Sequence, residues 1–281
     1  MRRFATGACA NVLDAHCHYD VHHSPLGGIV TERQLIGGLG FGTVAQTYDN
    51  IRPGYPQSAI DWVFVGLGGS LDVVDVGAGT GKLTAQLLGP GRRVHAIEPD
   101  PNMLRVLTNK LPTVTGHIGT GEALPLIASC ADVVTVAQAF HWMDEEKSMT
   151  EFARILRPGG RVALLWNDRD SQRAQWNEIL TRTLQSLGEN TTAHRSVGHV
   201  PEQPLGFDPV ERLTVPWVQD ITPEGLLDLV RSRSYVITLS ASRREAFLQE
   251  VRELLETHPR LACRPSFPLP YLTSVFRYTR V

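Results

Sequence analysis

The sequence has no long hydrophobic run, few cysteines and no excess of charge of either sign. Nowhere do the roughly 18 consecutive apolar residues needed to cross a bilayer occur, which excludes a conventional membrane-spanning helix. The four cysteines, Cys9, Cys17, Cys130 and Cys263, show neither a disulfide framework nor metal-ligand spacing and read as reduced thiols. With 27 basic and 29 acidic residues the net charge is -2. No global field would therefore draw in nucleic acid or an anionic membrane surface. Arg2 and Arg3 precede only an Ala-rich stretch broken by Asn11 and Asp14, which is poor signal-peptide material. Internal repeats and long low-complexity segments are also missing. These absences lead us to expect a cytoplasmic protein. What is present is ordinary globular material: 281 residues, 42% hydrophobic and 20% charged, enough to bury a core as one generous domain or two small ones.

The most informative stretch is Leu71 to Thr84, LDVVDVGAGTGKLT. A short apolar run (Leu71, Val73, Val74, Val76) carries an acid at Asp75 and enters glycines at 77, 79 and 81, the pattern of a strand, a tight turn and a helix start. Such glycines let the backbone turn sharply and let a ligand lie against it. A phosphate-binding Walker A loop would need Gly and Ser/Thr where this chain has Val76 and Leu83. A dinucleotide fingerprint would need its third glycine at Lys82. The pattern present is acid-x-G-x-G-x-G, Asp75 to Gly81.

Downstream, strands and helices alternate. Residues 92–98 read as a strand ending on Glu98, about 20 residues past the glycine turn, the offset at which nucleotide folds present an acid to ribose hydroxyls. Residues 99–111 form a helix with Pro at its start, followed by a short strand and a turn carrying Glu122. A buried strand over 132–136 leads into Gln138, Phe140, His141 and Trp142. A further helix, a Pro-Gly-Gly turn and a strand ending in Trp166, Asn167 and Arg169 follow. The alternation predicts a doubly wound parallel sheet. Beyond it come a polar helix (171–188), a strand (211–219), two helices and a closing strand whose mixed alternation fits an antiparallel pair.

Before the sheet, Phe41, Val44, Ala45 and Tyr48 fall at helical spacing, with Pro53 and Pro56 ending that helix. Residues 1–38 have other chemistry, with His16, His18, His22 and His23 close together. VLDAHCHYD looks like the D-x-H-x-H strand of amidohydrolase-type metal enzymes. Such a site needs a barrel of about 250 residues to complete it, and the rest of the chain is spent on another fold. The segment is read as a flexible or atypical extension, and no metal centre is expected.

With these segments in place, residues 39–281 resemble the class I S-adenosylmethionine (SAM)-dependent methyltransferases, in the small-molecule branch related to the ubiquinone-pathway and trans-aconitate enzymes. YDNIRPGYP, DVGAGTGKLT, AIEPDPNML and AQAFHWMD carry the resemblance, with GEALPL and LRPGGRVALLW in support. It implies an α/β, Rossmann-like seven-stranded sheet with an antiparallel last strand, a core over about 60–168, and a lid with closing strands over 169–281. It also implies that Asp75, Gly77, Ala78 and Gly79 border SAM and that Glu98 holds its ribose. Pro99, Met103, Gly121 and Glu122 would flank the adenine, although Thr120 stands where many relatives have an Asp. Tyr48 and Arg52 would close over the methionine carboxylate, and Gln138 and Ala139 would complete the wall. His141 is the candidate base, and Trp142, Trp166 and Arg169 are candidates for the acceptor pocket.

The expected activity is methyl transfer from SAM to an oxygen (carboxylate or hydroxyl) or nitrogen of a small molecule, leaving S-adenosylhomocysteine. A SAM-binding sensor or partner subunit without turnover is the alternative. A methyltransferase acting on RNA or protein is a third reading, which the near-neutral charge and the missing Asn/Asp-Pro-Pro-Tyr/Phe tetrad oppose. Oligomeric state is not legible.

Overall fold

A computed structural model of the chain describes residues 52–188, 200–233, 236 and 239–281. The histidine-rich segment, the helix expected around Phe41 to Tyr48, and Tyr48 itself lie outside these residues.

Seven strands form one sheet: β1 (Leu71–Val76), β2 (Arg92–Ile97), β3 (Thr115–His117), β4 (Ala131–Ala137), β5 (Leu156–Arg169), β6 (Glu211–Ile221) and β7 (Phe267–Thr279). Their spatial order is β3-β2-β1-β4-β5-β7-β6. The first five run parallel, and β7 is antiparallel to both neighbours. This is the doubly wound sheet that the alternation predicted. β1 and β4 are almost wholly buried, because helices cover both faces of a parallel sheet, so their sequences are continuous apolar runs. β6 lies at the edge and alternates between exposed and half-buried residues until Ile221.

Helix α1 (Gln57–Phe64) packs Ala59, Ile60, Val63 and Phe64 onto the core. After the glycine turn comes the single-turn helix α2 (Thr84–Leu87), then α3 (Pro101–Lys110), capped by Asp100 with Pro101 in its first turn. α4 (Glu145–Ile155) is capped by the Asp144 carboxylate and carries Glu145 and Glu146 where the helix dipole favours acids. The Pro-Gly-Gly segment differs from the expected simple turn. Ala131 is opposite Leu156 but Val133 is opposite Arg161, so residues 157–160 bulge within β5 and pairing resumes beyond them.

Helices α5 (Gln175–Gly188), α6 (Pro223–Arg231) and α7 (Ala241–Thr257) make up the segment that the sequence reading took for a lid. They have their own apolar cluster, in which Trp176, Leu180, Leu226, Val230, Phe247 and Val251 meet Phe267, Leu269 and Tyr271 of β7. No helix among the described residues is long and apolar enough to cross a membrane.

β1 pairs with β2 on one side and β4 on the other, so the strand order reverses between β1 and β4. Ligands of such sheets bind beyond the carboxyl ends of the strands at this reversal. Every candidate site residue among the described ones lies on a segment at that end.

Candidate active site

The glycine turn leaves β1 and is pinned at once to β2. The Gly77 and Ala78 N–H groups both donate to the Ile97 carbonyl, at 2.9 and 3.1 Å. Gly77 (φ 67°) and Gly79 (φ 57°) occupy the left-handed region, where a Cβ is strained. Their surroundings differ. A Cβ on Gly77 would lie 2.6 Å from that of Ala139, whereas one on Gly79 would meet, among the described residues, only the Met103 sulfur, at 4.0 Å. Gly77 thus lets the turn pack against the end of β4, and Gly79 presents bare backbone to space that, among the described residues, is bordered by Met103.

Glu98 sits beside that space, 6% exposed at the end of β2. Its Oε2 accepts from the Gly79 N–H at 2.8 Å and its Oε1 from the Asp100 N–H at 3.0 Å. Burial pushes its carboxyl above the ordinary range, and the two backbone donors pull it back. The carboxylate is therefore fixed in position and retains further acceptor lone pairs on both oxygens. Pro99, next along, is exposed. Asp100 caps α3 through Oδ1, and its buried Oδ2 has no partner among the described residues.

Asp75 departs from the expected cofactor contact. It is 1% exposed, and its two oxygens accept from the hydroxyls of Thr84 (2.6 Å) and Thr135 (2.9 Å). It ties β1 to α2 and β4 beneath the turn and does not face the ligand space. Burial raises its pKa to about 6 despite both hydroxyl donors.

Behind β4, Phe140–Trp142 form a 3₁₀ turn. Met143, which follows it, is a contributor that sequence reasoning left unassigned. Its side chain fills the space above two glycines, since a Cβ on Gly121 would fall 2.5 Å from its sulfur and one on Gly77 3.5 Å from its terminal methyl. Glu122 accepts from the Asp144 N–H at 2.8 Å and ties the Gly121 turn to this segment. His141 is half-buried with its ring 5.1 Å from that of Trp142, and Trp142 is 42% exposed.

The ends of β4, β5 and β7 are joined by side-chain hydrogen bonds. Gln138, held at φ 55°, donates to the Asn167 carbonyl at 3.0 Å. Asn167 Nδ2 donates to the Gly54 carbonyl at 2.8 Å, and its Oδ1 accepts from Thr273, which in turn accepts from Trp217 Nε1. Arg52 donates to the Ser232 carbonyl at the end of α6, 2.8 Å away, and so joins the segment before α1 to the C-terminal helices. Arg169 donates to Thr181 of α5 at 3.2 Å.

Trp166 does not join Arg169 and Trp142 as the sequence suggested. It is 2% exposed and lies edge-on between Phe140 and Phe276 in the main core. The reason is strand alternation: residues 166 and 169, three apart, point to opposite faces of β5. No cluster of three or more His, Cys, Asp or Glu side chains among the described residues could hold a metal ion.

Comparison with known proteins bears on the family and the fold. Residues 74–164, from within β1 through most of β5, match the model of a methyltransferase domain. An uncharacterized methyltransferase of Mycobacterium tuberculosis is 43% identical over 245 residues, covering 86% of this chain and 96% of that protein. An uncharacterized methyltransferase-like protein of Schizosaccharomyces pombe is 31% identical, covering 84% and 93%. Among solved structures, a candidate type II methyltransferase from Anaeromyxobacter dehalogenans superimposes with a TM-score of 0.65 at 23% identity, covering 82% of this chain and 97% of that one. A phosphoethanolamine N-methyltransferase of Haemonchus contortus, solved with S-adenosylhomocysteine, gives 0.50 at 17% identity, covering 90% and 60%. The chain belongs to the class I SAM-dependent methyltransferase family.

Proposed function

We propose that this methyltransferase uses SAM to methylate an oxygen (carboxylate or hydroxyl) or nitrogen of a small molecule and releases S-adenosylhomocysteine. The observation that carries the reading is the pairing of Gly79 with Glu98. An open backbone position and a fixed, buried carboxylate lie side by side at the sheet's reversal point. This fits a ribose-bearing ligand: the carboxylate accepts from hydroxyls, the bare backbone permits close approach, and the unpartnered Asp100 Oδ2 offers a further acceptor. Met103, Gly121 and Pro99 would border the base, and Arg52 with Tyr48 would hold the amino-acid end.

The sulfonium of bound SAM supplies an activated methyl group. The chain's own residues then have to orient the acceptor and exclude water, and orientation can supply on the order of 10⁵-fold or more in effective molarity. The lid helices over the strand ends suit that role. His141, on the 3₁₀ turn beyond β4, would take a proton from a hydroxyl or amine acceptor, while a carboxylate acceptor would need no base. Trp142 would present its exposed ring to the acceptor.

Calorimetric titration with SAM and S-adenosylhomocysteine, with NADH and ATP as controls, tests the cofactor. Saturable binding of the first pair alone is expected. A folded protein that binds neither would overturn the reading.

A further inference from the structure

Residues 52–56, which lead into α1, cross from the end of β5 to α2 and are held from both sides. From β5, Asn167 Nδ2 donates to the Gly54 carbonyl at 2.8 Å. From α2, the Gln86 side chain takes both backbone groups of Tyr55. Its Oε1 accepts from the Tyr55 N–H at 2.8 Å and its Nε2 donates to the Tyr55 carbonyl at 2.7 Å. Because an N–H can only donate and a carbonyl can only accept, the pair fixes which way the amide faces. One side chain thus stands in for a partner strand. A Cβ on Gly54 would fall 3.0 Å from Gln86 Oε1, so the backbone lies directly against the amide.

Gln86 is itself placed by the glycine turn. Helix α2 has only four residues, too few to hold their shape unaided. Thr84, two residues before Gln86, donates to the buried Asp75 carboxylate at 2.6 Å, and the Gln86 N–H donates to the Leu83 carbonyl at 2.8 Å. Tyr55, 8% exposed, shares an apolar cluster with Leu87 of α2 and Ile60 of α1. A run of bonds therefore leads from β1 through Asp75, Thr84 and Gln86 to Tyr55, three residues from Arg52. Residues 52–56 belong to no helix or strand, so side-chain bonds and packing, not a backbone ladder, set their course.

We propose that Gln86 is a positioning residue for SAM: by holding Tyr55 it keeps Arg52 where it can hold the amino-acid end of the cofactor, and it takes no part in holding the ribose or base. The inference deepens, and rests on, the SAM reading above. Without the Gln86 bonds the segment samples other courses, and the Kd rises by the inverse of the fraction left in the competent one. A ligand that does not reach the segment is spared that loss.

The test titrates the full chain with S-adenosylhomocysteine and with 5′-methylthioadenosine, which has the same base, ribose and thioether but no amino-acid end. Gln86→Met keeps the length of the side chain and removes both bonds. It should weaken S-adenosylhomocysteine by about tenfold, as expected for two lost hydrogen bonds of modest net worth. Methylthioadenosine should stay within about twofold. Glu98→Ala is the contrast and should weaken both ligands, since both carry the ribose. Equal losses for the two ligands in Gln86→Met, or no loss for either, would overturn the proposal. Should that variant fail to fold, hydrogen exchange in the unsubstituted chain decides. S-adenosylhomocysteine should slow exchange of the Tyr55 amide and methylthioadenosine should not; the same effect from both, or none from either, would overturn it. An unsubstituted, folded chain that binds neither ligand would overturn the SAM reading itself, an outcome distinct from binding both with no selective loss in the variant.

Discussion

The two ends of the sheet treat charge in opposite ways. At the amino ends of the parallel strands, Asp72 accepts from Arg93 (2.8 Å) and Arg157 (2.9 Å). Arg157 also pairs with Asp132 at 2.8 Å, and Asp132 accepts from the Asp72 N–H at 2.7 Å. The ring closes on itself. At the carboxyl ends, Asp100 Oδ2, Arg233 Nε and the Tyr271 hydroxyl are buried without partners among the described residues. Polar groups that satisfy one another hold a fold together, whereas unmet buried ones are kept only where something else satisfies them. The difference is one of degree, because Arg161 Nε at the amino end of the β4–β5 pairing is also buried without a partner among the described residues; the carboxyl end holds more such groups, and we read it as the working end.

Substitutions in the glycine turn should break this comparison most severely, because the turn serves both purposes. Gly77→Ala adds left-handed strain of about 1–2 kcal/mol to an overlap with Ala139 that costs a further 1–3 kcal/mol or so. Urea denaturation should show a loss of roughly 2–5 kcal/mol from these two terms. Gly79→Ala carries the strain but meets nothing closer than 4.0 Å among the described residues. It should lose less stability than Gly77→Ala yet bind SAM far more weakly, because its methyl projects into the cradle.

Glu98→Ala sharpens the contrast at the working end. It removes a carboxylate assigned to the ribose and should cost about 1.5–3 kcal/mol of SAM affinity, the range for hydrogen bonds to a charged group. Titration calorimetry measures this directly. An unchanged affinity would remove Glu98 from the site.

Asp75 lies between the two regimes, a buried carboxylate whose burial outweighs its two hydroxyl donors. Its native pKa of about 6 is above the ordinary carboxylate value, so the folded state holds the proton more tightly than the unfolded one. Its contribution to stability is thus largest below about pH 4 and is lost as pH rises to about 6, then stays level. Asp75→Asn should flatten that part of the stability–pH profile, by on the order of 1–3 kcal/mol across the window. A profile identical to that of the unsubstituted chain would mean that Asp75 is not perturbed in this way.

How much of this was legible in the sequence depended on the sequence distance between partners. The Asp75–Gly81 turn and its spacing to Glu98 could be read because they lie within one βαβ unit, where apolar runs and glycines mark strand, turn and helix. The antiparallel β7 was legible from its mixed alternation. The acceptor end was not, because its contacts join residues far apart in the chain. Asn167 bonds Thr273 and Gly54, and Arg169 faces Tyr271, through a register that no local pattern encodes. Arg233 follows a helix end with no motif around it. Two assignments could have been improved from periodicity alone. Counting along β5 separates Trp166 from Arg169, and Thr84, nine residues after Asp75, could have suggested an internal partner for that acid.

The smallest effect is expected at the structural end. Asp72→Asn removes the charge from a carboxylate that is itself only 12% exposed but whose partners Arg93 and Arg157 are 77% and 40% exposed. Solvent screens such pairs, so two of them should be worth about 1 kcal/mol together, and less at high salt. Asn keeps one acceptor oxygen, which can still accept from one of the two guanidinium groups, while its NH2 can make no bond to the other. Melting temperature should fall slightly and the difference should shrink as salt is added, while SAM affinity should be unchanged. A change in SAM affinity would show that the two ends of the sheet are energetically coupled, and the division between structural and working ends would have to be abandoned.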